Sequence, residues 1–105
     1  MNTASATKTL QDIANEIIAH VNSCGKPWSS WYVGIASDPG ARLFTDHKVS
    51  TQNGAWIYRD AGSEDGARKI EKYLLDTYSA KGDTGGGDST TTWVYAYYIT
   101  STTVE

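Results

Sequence analysis

Apolar residues in the first quarter of the chain recur three or four residues apart. They are Leu10, Ile13, Ala14, Ile17, Ile18 and Val21. This spacing predicts an amphipathic helix over residues 8–22 that packs on another element. Thr7 or Thr9 is placed to cap its first turn, and Gly25 is placed to end it.

Three later segments are rich in β-branched and aromatic residues, which predicts strands. They read SSWYVGIA, AWIYRD and WVYAYYIT. In the first, Val33 faces the core, whereas Tyr32 and Gly34 lie on the opposite face. There the glycine permits close approach of a ligand or another element. In the second segment, we expect Trp56 and Tyr58 on opposite faces.

Two further helices are predicted between these strands. Asp38 caps a short helix that has Pro39 in its first turn. Arg42 then lies near the positive amino end of this helix and forms an anion-attracting corner. Ser63 caps a longer helix, which Gly82 is expected to end.

The order of these elements predicts a single α+β domain over residues 1–105. A small, mainly antiparallel three-stranded sheet is covered by helices on one face. The glycine-rich segment 82–88, GDTGGGD, is expected to be a loop, and the last five residues, STTVE, a frayed tail.

Composition narrows the possible partners. A formal net charge of -3 and a pI near 5.2 argue against the broad basic surface of many nucleic-acid-binding proteins, so any polyanion site must be local. The single Cys24 cannot form an internal disulfide, and the amino-terminal residues do not read as a signal peptide or a membrane span. We therefore expect a cytoplasmic protein without membrane contact; an oligomer or a larger complex stays open.

One carboxylate in the long helix has an unusual setting. The residues three, four and seven positions from Glu71 are Ala67, Leu74, Leu75 and Tyr78. A charge among these neighbours requires a cation, a metal or strong hydrogen-bond donors. A buried salt bridge with Arg42 is one way to meet that requirement.

A spaced set of residues runs through the middle half of the chain: Tyr32, Gly34, Arg42, His47 and Glu71. Arg42 follows Gly34 by eight residues in DPGARL, and Glu71 lies within ARKIEKYLL. This set resembles the GIY-YIG endonuclease family. The first half-motif of that family, a strand that precedes the tyrosine strand, is not found before Tyr32.

The resemblance implies hydrolysis of phosphodiester bonds in DNA or RNA with one divalent metal, Mg²⁺ or Mn²⁺, held by Glu71. Arg42 is then expected to bind the scissile phosphate and stabilise charge on its oxygens. Tyr32 is expected to accept a proton from the attacking water. His47 shares that role or binds a phosphate oxygen.

Further substrate contacts are expected beside this catalytic set. Gly34 lets the substrate backbone come close. Lys48 and Arg59, together with Arg68 and Lys69, are candidates for a small basic patch that binds substrate, although such residues also commonly form a solvated face.

Each of these residues has a structural explanation as well. Tyr32 suits a partly exposed sheet position, Arg42 can pair with Asp46 one turn later, and His47 can close the short helix. The last strand has an aromatic run that either stacks bases on an open sheet or forms core and cross-strand pairs: Trp93, Tyr95, Tyr97 and Tyr98.

Three functions therefore stay open. The first is a metal-dependent nuclease. The second is a non-catalytic module of the same fold that binds nucleic acid or protein, which the missing half-motif and the negative charge favour. The third is a metal nuclease that uses an acidic cluster in the manner of ribonuclease H, built from Asp38, Asp46, Glu71 and Asp88.

Overall fold

The computed structural model describes residues 9–52, 55–82 and 90–105. Its helices are α1 (Leu10–Ser23) and α2 (Glu64–Tyr78), and its strands are β1 (Trp31–Ala36), β2 (Trp56–Asp60) and β3 (Trp93–Tyr98). A short 3-10 turn, Trp28–Ser30, precedes β1, and a π-helical segment, Ala41–Asp46, follows it. The predicted α+β class with one antiparallel three-stranded sheet is confirmed.

The ends of the helices follow local capping chemistry. Thr9 caps α1, since its hydroxyl accepts from the Asp12 N–H while the Asp12 carboxylate accepts from the Thr9 N–H. Ser63 caps α2 as predicted, by accepting from the Gly66 N–H. The predicted extension of α2 to residue 82 is wrong, because Ser79 adopts the left-handed conformation, with φ of 62°, and ends the helix one residue after Tyr78.

The last strand of the chain lies in the centre of the sheet, in the order β1-β3-β2, antiparallel to both neighbours. Residues in register across an antiparallel sheet share a face. Tyr32, Tyr97 and Trp56 are aligned across the three strands and define one face, whereas Val33 and Ala96 are aligned on the other.

Helices α1 and α2 cover the face that carries Val33. Ile17 from α1 and Leu74 from α2 are fully buried there in one cluster with Trp31 of β1. Burial of a large apolar side chain contributes about 1.5–3 kcal/mol. This layer is the main core and confirms the predicted burial of the apolar faces of both helices.

The opposite face of the sheet is almost entirely aromatic, and we call it the aromatic face. Its aromatic side chains are Tyr32, Trp56, Tyr58, Trp93, Tyr95 and Tyr97, and Ala36 and Asp60 lie on it beside Trp93. Leu43 from the π-helical segment packs on it and is fully buried. The prediction that Trp56 and Tyr58 lie on opposite faces is wrong: residues two apart in a strand share a face, and these rings stack with centroids 5.7 Å apart.

The π-helical segment replaces the short regular helix expected after Asp38. The cap forms as predicted, because the Asp38 carboxylate accepts from the Ala41 N–H at 3.1 Å. The winding then widens, and the His47 N–H donates to the Arg42 carbonyl five residues back at 2.8 Å. Leu43 is thereby buried while Arg42 stays exposed.

A stretch after α2 continues the backbone hydrogen bonding at the outer edge of β1. The Val33 N–H donates to the Lys81 carbonyl, and the Lys81 N–H donates to the Trp31 carbonyl, both at 2.8 Å. A Cβ atom on Gly82 would lie 2.5 Å from the Val33 carbonyl oxygen, so only glycine fits this approach. The rest of the predicted glycine-rich loop, residues 83–88, lies outside the described residues.

No helix within the described ranges is long and apolar enough to cross a membrane.

Candidate functional site

Tyr95, in the central strand, lies where most of the predicted site residues meet. Its hydroxyl is 2.8 Å from the Nε2 atom of His47. The ring of Tyr32 stacks beside it with a centroid distance of 6.3 Å. Arg42 and Glu71 are also close enough for their charges to act on the Tyr95 hydroxyl. The fold therefore brings Tyr32, Arg42 and His47 together at Tyr95, a residue that was not predicted for the site, whereas Glu71 lies behind them in α2 and acts on Tyr95 through its charge.

His47 is held by hydrogen bonds on both ring nitrogens. Its Nδ1 atom lies 2.6 Å from the Val104 carbonyl oxygen, which can only accept, so Nδ1 carries the proton. Nε2 then accepts from the Tyr95 hydroxyl. His47 is only 4% exposed, and this arrangement suits a neutral imidazole that positions its neighbours better than one that exchanges protons with a substrate.

The carboxyl-terminal residues complete this arrangement. The Val104 N–H donates to the His47 carbonyl at 2.7 Å, and the Tyr97 hydroxyl donates to the Val104 carbonyl at 3.3 Å. The prediction of a frayed tail is therefore wrong. Residues 100–103 turn the chain back. The backbone of Val104 is hydrogen-bonded to His47, although the Val104 side chain is exposed.

Burial sets the protonation of the residues behind the cleft. It raises the pKa of Tyr95 to about 12, with the charge of Arg42 acting in the opposite direction. It also raises the pKa of Tyr97, to which the neighbouring Tyr32 adds. Burial, assisted by the charge of Arg42, lowers the pKa of His47 despite the hydrogen bond to Val104. At neutral pH, His47 and the two tyrosines are consequently uncharged.

A cleft of about 620 Å³ opens in front of this group. It is lined by the cations Arg42 and Lys81, by the anions Asp46 and Glu105, and by the uncharged side chains of Tyr32 and His47. Arg42 donates to the Asp46 carboxylate at 2.9 Å, and both side chains are nearly half exposed. Against the effect of its partial burial, Tyr95 and Asp46 raise the pKa of Arg42, so the guanidinium is a permanent cation in the cleft.

Gly34 provides the space that Tyr95 occupies. It is directly opposite Tyr95 in the β1-β3 register, and a Cβ atom on it would lie 2.5 Å from the Tyr95 hydroxyl oxygen. The close approach expected at this glycine is made by another element of the fold. This packing accounts for the glycine without a substrate contact.

Glu71 is 2% exposed in the middle of α2. What little surface it has faces a separate hollow of about 270 Å³, which is also lined by Arg68, Lys72, Leu75 and Asp76. A single carboxylate fits the chemistry of Mg²⁺, which keeps several waters and is bound by one or two carboxylates together with substrate phosphates. The described residues contain no group of three or more His, Cys, Asp and Glu side chains placed to share a metal.

That finding also bears on the acidic cluster expected for a ribonuclease H-like site. Asp38, Asp46 and Glu71 do not form a metal-binding group within the described part of the chain. Instead, Asp38 caps the π-helical segment and Asp46 pairs with Arg42. The fourth member, Asp88, lies outside the described residues.

The two basic residues expected to bind substrate lie elsewhere. Arg59 is on the helix-covered face of the sheet, where it donates to Glu16 of α1 at 2.7 Å. Lys48 follows His47 but is exposed, with φ of 61°, and does not line the cleft. The cation that joins Arg42 in the cleft is Lys81, which the sequence did not single out.

Tyr95, Tyr97 and Val104 are the site residues that sequence reasoning missed. Alternation within WVYAYYIT places the two tyrosines on one face, which is the available signal. Their contacts with His47 join residues about fifty positions apart, at 48 and 50 residues of separation. No local pattern encodes such contacts.

No protein-family model, curated protein or solved structure matches this chain. The resemblance to GIY-YIG endonucleases therefore stays a prediction.

The lowered pKa of His47 predicts that the protein loses stability in mild acid. The unfolded chain takes up a proton near the ordinary value of 6.5, whereas the folded protein does so only at lower pH, so protonation favours unfolding. We expect the free energy of unfolding, measured in urea, to fall as the pH drops below about 6.5. His47→Gln should reduce this slope.

His20 provides the comparison, because burial and then the charge of Arg59 also lower its pKa. His20→Gln should remove its own share of the slope and leave that of His47. The double variant should be nearly independent of pH above the range in which carboxylates titrate. A wild-type slope in His47→Gln would contradict the assignment.

Proposed function

We propose that this protein is a metal-dependent nuclease that hydrolyses phosphodiester bonds of nucleic acid at the cleft, in the manner of GIY-YIG endonucleases. The observation that carries the proposal is the grouping of Tyr32, Arg42 and His47 at the cleft around Tyr95, with Glu71 close enough for its charge to act on the Tyr95 hydroxyl. These residues come from β1, the π-helical segment and its end, and α2.

The position of β3 adds support. It lies directly beside β1, and it carries Tyr95 opposite Gly34 and Tyr97 opposite Tyr32. A tyrosine strand adjacent to the YVG strand is the feature that the sequence lacks before Tyr32. The final strand lies beside the YVG strand and carries tyrosines, but it follows Tyr32 in the chain and does not contain the GIY half-motif.

Arg42 is suited to bind the scissile phosphate. Its ion pair with Asp46 is exposed to solvent, and such pairs contribute only about 0.2–1 kcal/mol. A phosphate can therefore replace Asp46 and accept two parallel hydrogen bonds from the guanidinium. Charge that develops on the phosphate oxygens is then stabilised by a cation that does not deprotonate.

Tyr32 is the proposed acceptor of the proton from the attacking water, since it is the partly exposed tyrosine in the cleft. Tyr95 and Tyr97 are less suited because burial raises their pKa. His47 contacts the Tyr32 ring at a centroid distance of 4.8 Å and acts as a positioning residue. Glu71 would hold the divalent metal, which when bound supplies electrostatic stabilisation of the phosphate.

The test is cleavage of labelled single- and double-stranded DNA and RNA with Mg²⁺ or Mn²⁺, beside a reaction that contains EDTA. We expect wild-type cleavage that requires the metal, and loss of that cleavage in Glu71→Gln, which retains the size of the side chain but removes its charge. Asp76→Asn is the matched control, because Asp76 lies on the same helix and lines the same hollow. No cleavage by wild type of any substrate, or equal rates in Glu71→Gln, would refute the proposal.

A non-catalytic phosphate-binding module is the second candidate. It is favoured by the mixed charges of the cleft and by the engagement of both His47 ring nitrogens. It predicts that nucleic acid binds in a manner that depends on Arg42 but is not cleaved.

A further inference from the structure

Four aromatic side chains outside the cleft form a continuous row, which we call the aromatic row: Phe44, Trp56, Tyr58 and Trp93. Phe44 meets Trp56 edge to face at 5.0 Å between ring centroids, Trp56 stacks on Tyr58 at 5.7 Å, and Tyr58 meets Trp93 edge to face at 5.6 Å. All four are partly exposed. By contrast, Tyr95 and Tyr97 in the centre of the same face are buried.

The row runs along β2, which lies at one edge of the sheet. Its far end opens into a shallow hollow of about 510 Å³, lined mainly by apolar surface from Tyr58, Trp93, Ile13 and Ala61. Arg59 reaches the rim of this hollow beside Tyr58 and is 41% exposed. The hollow thus combines two large rings with one cation, Arg59, and one carboxylate, Asp60.

The row is continuous with the proposed phosphate site. The π-helical segment, Ala41–Asp46, carries Arg42 into the cleft and Phe44 onto the row. Across the sheet, Trp56 is in register with Tyr97 and Tyr58 with Tyr95. The cleft and the row are therefore two parts of one face, separated by the width of about two strands, or roughly 10 Å.

The aromatic side chains of the row can stack on the flat faces of other rings. Every nucleobase has such a face, and stacking on aromatic side chains is tolerant of sequence. A duplex hides these faces within its own stack, whereas a single strand offers them. The net charge of -3 is consistent with affinity that comes from stacking more than from many phosphate contacts.

We propose that the aromatic row binds unpaired bases of a single-stranded nucleic acid whose backbone reaches Arg42. This inference rests on the proposed function, because it names the substrate class of the same face. Phe44 and Trp56 stack the bases nearest to the cleft, and Tyr58 and Trp93 stack those farther along.

The test is equilibrium binding of a labelled single-stranded oligonucleotide of about ten nucleotides in EDTA, so that no cleavage occurs. An abasic strand of the same length keeps the phosphates and lacks the bases. We expect the intact strand to bind at least about tenfold tighter than the abasic strand and than a duplex of equal length, with quenching of tryptophan fluorescence. The affinity should also depend only weakly on salt.

Variants in the row provide the second measurement. Tyr58→Leu and Trp93→Leu should each weaken binding of the intact strand at least about fivefold and leave binding of the abasic strand unchanged. Trp93→Phe should retain most of the affinity, because the ring is conserved. Trp28→Leu is the matched control, since Trp28 stacks on Tyr78 away from the aromatic face. Circular dichroism and Tm establish that each variant is folded.

Three results would overturn this inference. They are equal binding of the intact and abasic strands, tighter binding of the duplex, and affinities of the row variants equal to that of Trp28→Leu. Binding of a proline-rich peptide at the row with no base-dependent binding would overturn it as well. The proposed nuclease activity fails separately: base-dependent binding that needs the row, without cleavage of any substrate when metal is added, would support this inference and refute the nuclease.

Discussion

Arg42→Ala is expected to lower the rate of nucleic-acid cleavage by about 100- to 1,000-fold, the range seen when one preorganised donor to a developing negative charge is removed. Arg42 is a permanent cation in the cleft, where it forms an exposed ion pair with Asp46 and a hydrogen bond with the Tyr95 hydroxyl. The loss should appear mainly in kcat, because the guanidinium acts most strongly on charge that develops in the transition state. Steady-state cleavage at saturating metal measures it.

Two further variants separate this effect from damage to the fold. Lys69→Ala is the matched control, because Lys69 forms the same kind of exposed pair one helical turn from Asp65, on α2 and outside the cleft. Asp46→Asn should act in the opposite direction and lower KM, since it removes the internal competitor for Arg42. A rate for Arg42→Ala within about threefold of Lys69→Ala would rule out the proposed role of Arg42, because that difference is far below the loss of one such donor.

Gly34→Ala is expected to destabilise the fold by about 1–3 kcal/mol or more, the usual cost of overpacking a tight interior. The new Cβ would meet the Tyr95 hydroxyl oxygen at 2.5 Å and the ring carbon beside it at 2.6 Å. The Tyr95 side chain cannot move away easily, because it is 1% exposed and hydrogen-bonded to His47. Urea denaturation monitored by tryptophan fluorescence gives the free energy of unfolding.

Gly40→Ala is the control for the intrinsic effect of replacing glycine. Its nearest neighbour to a new Cβ is the Asp38 carboxylate at 3.6 Å, an ordinary contact, and its φ of -63° suits any residue. That variant should be neutral or more stable by up to about 1 kcal/mol. In a double-mutant cycle, Tyr95→Leu should cost less in the Gly34→Ala background than in wild type. Equal stability of the two glycine variants would contradict the close approach of Tyr95.

Part of the candidate site was predictable because several of its residues lie close together in the sequence. Tyr32 and Gly34 are two residues apart in one strand, and Arg42 follows in a helix whose cap, Asp38, is readable from SDPG. Glu71 was identified by its apolar helical neighbours, and it is indeed buried. Local spacing therefore selected residues that the fold brings together, although their catalytic roles are still predictions.

The rest of the site depends on partners far away in sequence. In the sequence, His47 is interpreted as the residue that ends a short helix. In the fold, both of its ring nitrogens form hydrogen bonds, one with Tyr95 and one with Val104. Arg59 was plausible as a substrate contact until β2 placed it on the face covered by α1. Contacts of this kind arise from strand order and register, which a single sequence does not reveal.

The sequence by itself determined which segments form α1, α2 and the three strands, because hydrophobic period, caps and turn residues act over a few positions; the end of α2 and the π-helical winding were not predicted from it. Thr9, Ser63 and Gly25 mark helix boundaries by local backbone chemistry. Only the tertiary structure decided that the final strand lies between the other two and that its tyrosines back the cleft. That choice depends on burying one aromatic face as a whole, and its free energy comes from contacts between residues that are distant along the chain.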